Sequence, residues 1–128
     1  MTEKKLPLVY ACSGCSNAGQ MANVFAARLD RAKWAEMGCL AGVAGNVPEL
    51  MRQVRQAIDE GRAVWTIDGC VYRCAQACLN QRAITPQYAL VLTDYGYVKR
   101  KHMDVSPVEA DRIFMEHVLP ELGLNEAD

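Results

Sequence analysis

The run Ala-Val-Trp-Thr-Ile at residues 63–67, followed at once by Asp68-Gly69, is the stretch that decides the fold. It is a continuous apolar and β-branched segment, typical of a strand that is buried on both faces in a parallel sheet. Asp-Gly is a turn signal and ends the strand. The sequence therefore predicts a central strand that is followed directly along the chain by a functional loop.

Alternating helical and strand-like patterns extend outward from this run in both directions. Apolar segments predict further strands over residues 6–12, 34–39 and 88–93. Apolar residues at helical spacing predict a helix with Asn17 as its cap, a helix that begins at Pro48, a helix over residues 70–82, and a last helix with Ser106 as its cap. Residues 40–47 are interpreted as a connection of small residues, and Pro120 is expected to end or kink the last helix.

The predicted order of elements, strand then helix four times over, is that of a parallel sheet with crossover helices. We expect a small three-layer α/β/α domain with a mostly parallel four-stranded sheet, formed by residues 1–128 as a single domain. Ligands on such sheets bind beyond the carboxyl ends of the strands. The loops after the strands are therefore where function is expected.

Composition excludes several classes of protein. Hydrophobic residues make up 51 % of the chain and charged residues 23 %, with a net charge of −1. The chain is therefore not disordered, and no global field attracts nucleic acid or an anionic membrane. The early apolar run at residues 6–11 is too short for a signal-peptide core or a membrane span. We expect a cytoplasmic protein, whose six cysteines serve metal binding or thiol chemistry rather than disulfides.

Three cysteines are predicted at one edge of the sheet. Cys12 and Cys39 end the first two predicted strands, and Cys70 follows the third by one turn. Cys74 lies four residues after Cys70, so a helix over this segment would place both on one face. Four sulfurs could thus converge on a zinc ion, which prefers four thiolate or imidazole ligands in structural sites. Burial of the cysteines as small hydrophobic residues is the alternative.

Five short motifs carry a family resemblance. They are, in order, Cys12-Ser13-Gly14, Ser16-Asn17-Ala18-Gly19-Gln20, Cys39-Leu40-Ala41-Gly42, Ile67-Asp68-Gly69-Cys70 and Cys74-Ala75. Together they resemble the DGC-domain family, which is described as zinc-binding through four chelating cysteines. The resemblance implies Cys12, Cys39, Cys70 and Cys74 as the ligands of one zinc ion. Because such an ion would join separate loops, we expect it to have a stabilising or sensing role.

The pair Cys12 and Cys15 leaves a second class of function open. A CxxC between a strand and a helix is also the position of thiol redox pairs, and a helix amino end favours the thiolate. The alternative is therefore a thiol redox or sulfur-transfer enzyme that uses Cys15 and Cys12. A thioredoxin-like fold would need antiparallel strands and a cis-proline, for which Thr85-Pro86 is the candidate. An iron–sulfur cluster would also fit four thiolates.

Other residues receive a structural interpretation first. Cys78 is expected to pack in the core, Asp68 to cap the helix that follows it, and His117 to be partly buried without a metal. The polar turn around Gly14 is expected to hold thiolates through backbone N–H groups. The basic run at residues 99–102 is expected to be a solvated loop, or else the contact for a small anionic ligand or a protein partner near the cysteines.

Overall fold

A four-stranded sheet forms the centre of the protein in the computed structural model, which describes residues 5–125. Its strands are β1 (Leu8–Ala11), β2 (Glu36–Met37), β3 (Val64–Asp68) and β4 (Tyr88–Val91). They lie in the order β2-β1-β3-β4, and each pairing among the described strands is parallel. The predicted parallel α/β fold is confirmed, and the run at residues 63–67 does supply a central strand.

Helices cover both faces of the sheet. They are α1 (Asn17–Arg31), α2 (Leu40–Ala44), α3 (Pro48–Asp59), α4 (Cys74–Gln81), a 3₁₀ turn (Leu92–Tyr95), α5 (Pro107–Ile113), a π-helical turn (Phe114–Val118) and α6 (Leu119–Glu121). Within residues 5–125, none of these helices is both long and apolar enough to cross a membrane.

Two apolar cores follow from the alternation of side chains along each strand. Val9 of β1 packs with α1 and the C-terminal helices on one face. Leu8 and Tyr10 pack with α2, α3 and α4 on the other face. The sheet is thus covered on both faces. The loops at the carboxyl ends of its strands are therefore the place where a site can form.

The second strand is much shorter than the predicted 34–39. On the outer edge of this strand the carboxylate of Asp30 accepts a hydrogen bond from the backbone N–H of Met37, which does not pair with β1. A second correction follows, because the predicted connection at 40–47 contains α2. Cys39 is therefore the N-cap of a helix, and it does not end a strand.

The prediction of a helix over residues 70–82 was wrong at its start. Residues 70–73 form a turn in which the N–H of Arg73 bonds to the carbonyl of Cys70 at 3.1 Å, and Arg73 adopts a left-handed conformation with φ 52°. The helix begins only at Cys74. Cys70 and Cys74 therefore do not share a helix face, although both stay at the same edge of the sheet.

The C-terminal helix begins as the sequence predicts. Ser106 is its N-cap, and its hydroxyl accepts a hydrogen bond from the N–H of Glu109. The π-helical turn then precedes Pro120, which has no N–H to donate to the preceding turn. The helix continues only to Glu121, which confirms that Pro120 lies at its end.

A candidate thiol site at the carboxyl edge of the sheet

Four of the six cysteines line one cavity of about 150 Å³ beyond the ends of β1 and β3. They are Cys12, Cys15, Cys70 and Cys74. The loop after β1 supplies the first two, the turn after β3 supplies the third, and the start of α4 supplies the fourth. The parallel sheet thus brings together thiols that are far apart in sequence, as the topology predicts.

Cys12 is the buried member of this group, with 8 % of its surface exposed. Its Sγ accepts a hydrogen bond from the N–H of Gly69 at 3.1 Å. Burial raises the pKa of the Cys12 thiol to about 11, against the opposing effect of the Gly69 N–H, and the charge of Asp68 adds to the rise. Cys12 is therefore a neutral thiol at pH 7 unless a cation stabilises its thiolate.

Gly69 is required by a close approach of two backbones. A Cβ atom at this position would lie 2.5 Å from the carbonyl carbon of Ala18, and real Cβ atoms do not come so close to backbone. The loop after β3 therefore lies directly against the first turn of α1. This contact sets the position of the Cys12 thiol relative to Cys70, and it gives the glycine of the Asp-Gly-Cys motif a physical reason.

Asp68 caps α4 from the end of the neighbouring strand. Its carboxylate is almost fully buried and accepts hydrogen bonds from the N–H groups of Ala75 at 2.7 Å and Gln76 at 3.2 Å. Burial raises the pKa of this carboxyl, and the two N–H groups oppose the rise. The predicted capping role is confirmed, for a helix that starts later than predicted.

Lys99 connects the thiols to the surface. Its ammonium group donates a hydrogen bond to Cys70 Sγ at 3.4 Å and also lies 4.7 Å from the centre of the Tyr72 ring. Lys99 and Lys101 both line the cavity. Part of the basic run therefore belongs to the site, which agrees with its predicted position near the cysteines.

Asn17 holds this basic segment in place, a role that the sequence did not reveal. Its side chain donates to the carbonyl of Val98 at 3.0 Å and accepts from the N–H of Arg100, while its own N–H donates to the carbonyl of Arg100. The predicted capping of α1 falls instead to Ser16, whose hydroxyl accepts from the N–H of Gly19. Residues 98–101, called the basic strap below, thus lie across the loop after β1.

Cys39 lies on a different cavity, one of about 600 Å³ between the β1–β2 edge and α3. Its Sγ accepts a hydrogen bond from the N–H of Gly42 at 3.4 Å, at the start of α2. Cys39 also lies near Tyr10, and burial raises the pKa of that tyrosine to about 12, with the charge of Cys39 contributing. The side chain of Cys39 is exposed.

Cys78 and His117 are both partly buried. Burial raises the pKa of Cys78, which is consistent with its predicted packing role, although the thiol is not fully enclosed. His117 stacks on Tyr95 with ring centres 4.8 Å apart, and its predicted partial burial is confirmed. Val71, which the predicted helix would have turned toward the sheet, is instead exposed in the turn before α4.

The thiols on this cavity are the right type of ligand for a soft metal ion, but their side chains are not oriented to bind one. Among residues 5–125, no three Cys, His, Asp or Glu side chains stand close enough together to share one ion in their present orientations. Four thiols on one cavity are nevertheless the ligand type that Zn²⁺ prefers. Cys15 and Cys74 are exposed, so their side chains have room to reorient toward Cys12.

Comparisons with known proteins bear on the family of this chain. The chain is 48 % identical over 111 residues to the anaerobic and virulence modulator AnvM of Pseudomonas aeruginosa, an alignment that covers 87 % of this chain and 82 % of the relative. No solved structure matches the chain. The DGC domain matches residues 8–117, a span that includes the whole thiol site. The chain therefore belongs to the DGC-domain family.

Proposed function

We propose that this protein binds one zinc ion at the thiol cavity, with Cys12, Cys70 and Cys74 as ligands. The observation that supports this most is that these three cysteines, which the family resemblance implies, line a single cavity although they come from two loops and a helix start. When bound, zinc would connect these loops through metal–sulfur bonds and so stabilise the folded state. The role of the site is then to stabilise the carboxyl edge or to sense the state of its thiols.

The charges around the cavity support a metal–thiolate centre. Four thiolates around Zn²⁺ carry a formal charge of about −2, by counting charges. Lys99 and Lys101 line the same cavity and offset this charge. Lys99 already donates a hydrogen bond to Cys70 Sγ at 3.4 Å, so one of these cations contacts a proposed ligand directly.

The fourth ligand is proposed to be Cys15. It is the remaining thiol on the cavity, and it is exposed and three residues from Cys12. The family resemblance instead implies Cys39, whose Sγ bonds to the N–H of Gly42 at the start of α2. Cys39 would have to leave that contact to reach the same ion, so Cys15 is the choice that the geometry favours.

A sensing role fits the known relative in a general way. That relative is named as a modulator of anaerobic behaviour and virulence. For this chain we propose only that a zinc–thiolate centre responds to conditions that change its thiols, in the reducing cytoplasm that its six free cysteines suit.

Single serine substitutions test the ligand set. Cys12→Ser, Cys70→Ser and Cys74→Ser should each lower zinc affinity strongly, since each removes one thiolate from the centre. The readout is competition with a chromogenic zinc chelator, with circular dichroism to confirm folding. Cys78→Ser is the matched control, because Cys78 does not line the cavity, and it should retain zinc.

Two further variants decide the fourth ligand. Cys15→Ser should lose affinity while Cys39→Ser keeps it, and the reverse result would restore the ligand set that the family resemblance implies. Full zinc affinity in the Cys12, Cys70 and Cys74 variants alike would contradict the proposed centre.

Thiol redox or sulfur-transfer chemistry is the second candidate. It is favoured by one observation, namely that exposed Cys15 and buried Cys12 line the same cavity. Cys15 would then be the attacking thiol and Cys12 the resolving one, because burial keeps Cys12 neutral. A thioredoxin-like version has little support, since the described strand pairs are parallel and the bond before Pro86 is trans. A Cys12–Cys15 disulfide in mildly oxidised, metal-free protein, found by peptide mapping, would favour this candidate.

A further inference from the structure

Two loops at the mouth of the thiol cavity expose large apolar side chains. In the turn before α4, Val71 and Tyr72 are 72 % and 74 % exposed, and Val98 of the basic strap is 60 % exposed. The loops meet where the ammonium of Lys99 lies over the ring of Tyr72. Large exposed apolar side chains that lie near one another are a feature of binding surfaces, whereas single ones are ordinary.

Three cations that form no salt bridge in the described part of the chain lie on the same two loops as these apolar groups, and one of them, Arg73, also acts through its charge on buried Asp68. Arg73 follows Tyr72 in the turn, and Lys99 and Arg100 belong to the strap, and none of the three forms a salt bridge within residues 5–125. By contrast, salt bridges to carboxylates are formed elsewhere by Lys5, Arg28, Arg31, Arg52, Arg62 and Arg112. Lys33, Arg55 and Arg82 also form no salt bridge within these residues, but here three such cations lie on two adjoining loops.

We propose that this surface binds an acidic segment of a partner protein that carries an apolar anchor side chain. The docking surface is defined as Val71, Tyr72, Arg73, Val98, Lys99 and Arg100. Tyrosine and arginine are the side chains that most often dominate the binding energy of protein interfaces, and complementary charge steers the encounter. The proposal concerns protein binding and does not depend on zinc at the neighbouring cavity.

The surface is held ready for a partner. The three hydrogen bonds between Asn17 and the strap hold the backbone on both sides of Lys99, and the ammonium group of Lys99 lies over the ring of Tyr72. A preformed surface loses less conformational entropy on binding. Lys99 also donates to Cys70, so a single side chain connects the docking surface with the thiol site.

A protein partner fits these observations better than nucleic acid does. Nucleic-acid-binding domains are usually strongly basic, because phosphate contacts supply most of the affinity. The sequence pI of this chain is about 6.1. The aliphatic side chains of Val71 and Val98 also match an apolar anchor, whereas they offer little to a phosphate backbone.

Panning of a random peptide library of about a dozen residues on the full-length chain tests the proposal. Enriched peptides should combine several Asp or Glu residues with an aromatic or large aliphatic residue. Synthetic copies with a fluorescent label should bind in anisotropy titrations, and Tyr72→Ser and Arg100→Glu should each weaken binding at least roughly tenfold. The Arg100 side chain can be changed because the strap is held through the backbone of that residue.

Two matched variants are the controls. Lys33→Glu makes the same change of charge just after α1, and Val24→Ser removes a half-exposed apolar side chain from α1. Both should leave peptide affinity unchanged. A library that yields no enriched peptides, peptides that are neutral or basic, or peptides that bind all four variants equally would overturn the proposal. A labelled oligothymidine that binds more tightly than the peptides, insensitive to Tyr72→Ser, would replace it with nucleic-acid binding.

Discussion

Gly69 shows how a single residue can determine the geometry of the site. The dipeptide Asp68-Gly69 predicts a turn, which is sufficient to end β3 and to place Cys70 at the sheet edge. The further requirement for glycine comes from the backbone of α1, which approaches too closely for any side chain. This contact joins residues that are distant in sequence, so no local pattern could have indicated it.

Gly69→Ala should therefore destabilise the protein. A Cβ atom 2.5 Å from the backbone of Ala18 would force α1 and the loop after β3 apart, at a cost of about 1–3 kcal/mol in the free energy of unfolding, which is typical of overpacking. Urea denaturation measures the loss. Gly45→Ala is the control, since an added Cβ there comes only within 3.2 Å of backbone, and it should cost much less. Equal stabilities of the two variants would show that the close approach is not tight.

The direction of the Cys39 side chain is a second single-residue feature, and it could not be predicted from the sequence. The strand order did place its backbone at the correct edge, next to β1. The start of α2 at Leu40 then turned its Sγ toward the N–H of Gly42. The sequence interpretation of residues 40–47 contained no helix, and so it could not anticipate this contact.

Alkylation of zinc-loaded protein provides an independent test of the fourth ligand. If Cys15 is a ligand, limited iodoacetamide treatment should label exposed Cys39 first and leave the four proposed ligands protected, namely Cys12, Cys15, Cys70 and Cys74. Cys78 should react slowly, because burial raises its pKa. Peptide mass spectrometry measures the order of labelling. Rapid labelling of Cys15 with zinc retained would instead identify it as the reactive non-ligand thiol of the redox interpretation.

At the scale of elements, capping by side chains accounts for much of what the sequence left undetermined. Helical periodicity predicted that α4 exists, but the carboxylate of Asp68 binds the N–H groups of Ala75 and Gln76 and so fixes its start. Asn17 likewise pins the basic strap through bonds to residues more than eighty positions away. The sequence predicts that Asp68 caps this helix, but the N–H groups that Asp68 binds, like the partners of Asn17, depend on the finished fold. Ser106 caps its own helix and is predicted correctly.

Asn17→Ala should loosen the strap. The substitution removes the two side-chain hydrogen bonds to the strap and leaves the carbonyl of Val98 and the N–H of Arg100 without these partners, at a cost of about 1–3 kcal/mol. Hydrogen exchange should accelerate over residues 98–101 and change little in β1 or β3. Gln20→Ala is the control, because exposed Gln20 bonds only to the carbonyl of Gly14 in the adjacent loop. Unchanged exchange in the strap would mean that contacts other than Asn17 hold it.

At the scale of the whole molecule, topology was the most predictable feature and also the most informative. An alternation of strands and helices implied a parallel sheet, and a parallel sheet places the ends of neighbouring strands at one edge. Cys12 and Cys70 were brought together in this way without any knowledge of side-chain packing. The order in space, β2-β1-β3-β4, also makes β1 and β3 the central strands, so that the thiol cavity lies at the middle of the edge.

The metal content of protein purified without added metal tests the central claim most directly. Inductively coupled plasma mass spectrometry should find one zinc per chain, and the triple variant Cys12→Ser, Cys70→Ser, Cys74→Ser, purified in parallel, should contain almost none. The Cys78→Ser variant should match the unaltered protein, because that thiol lies outside the cavity. Folded protein that contains no zinc and takes up none from a stoichiometric addition, or that contains iron and sulfide instead, would contradict the account.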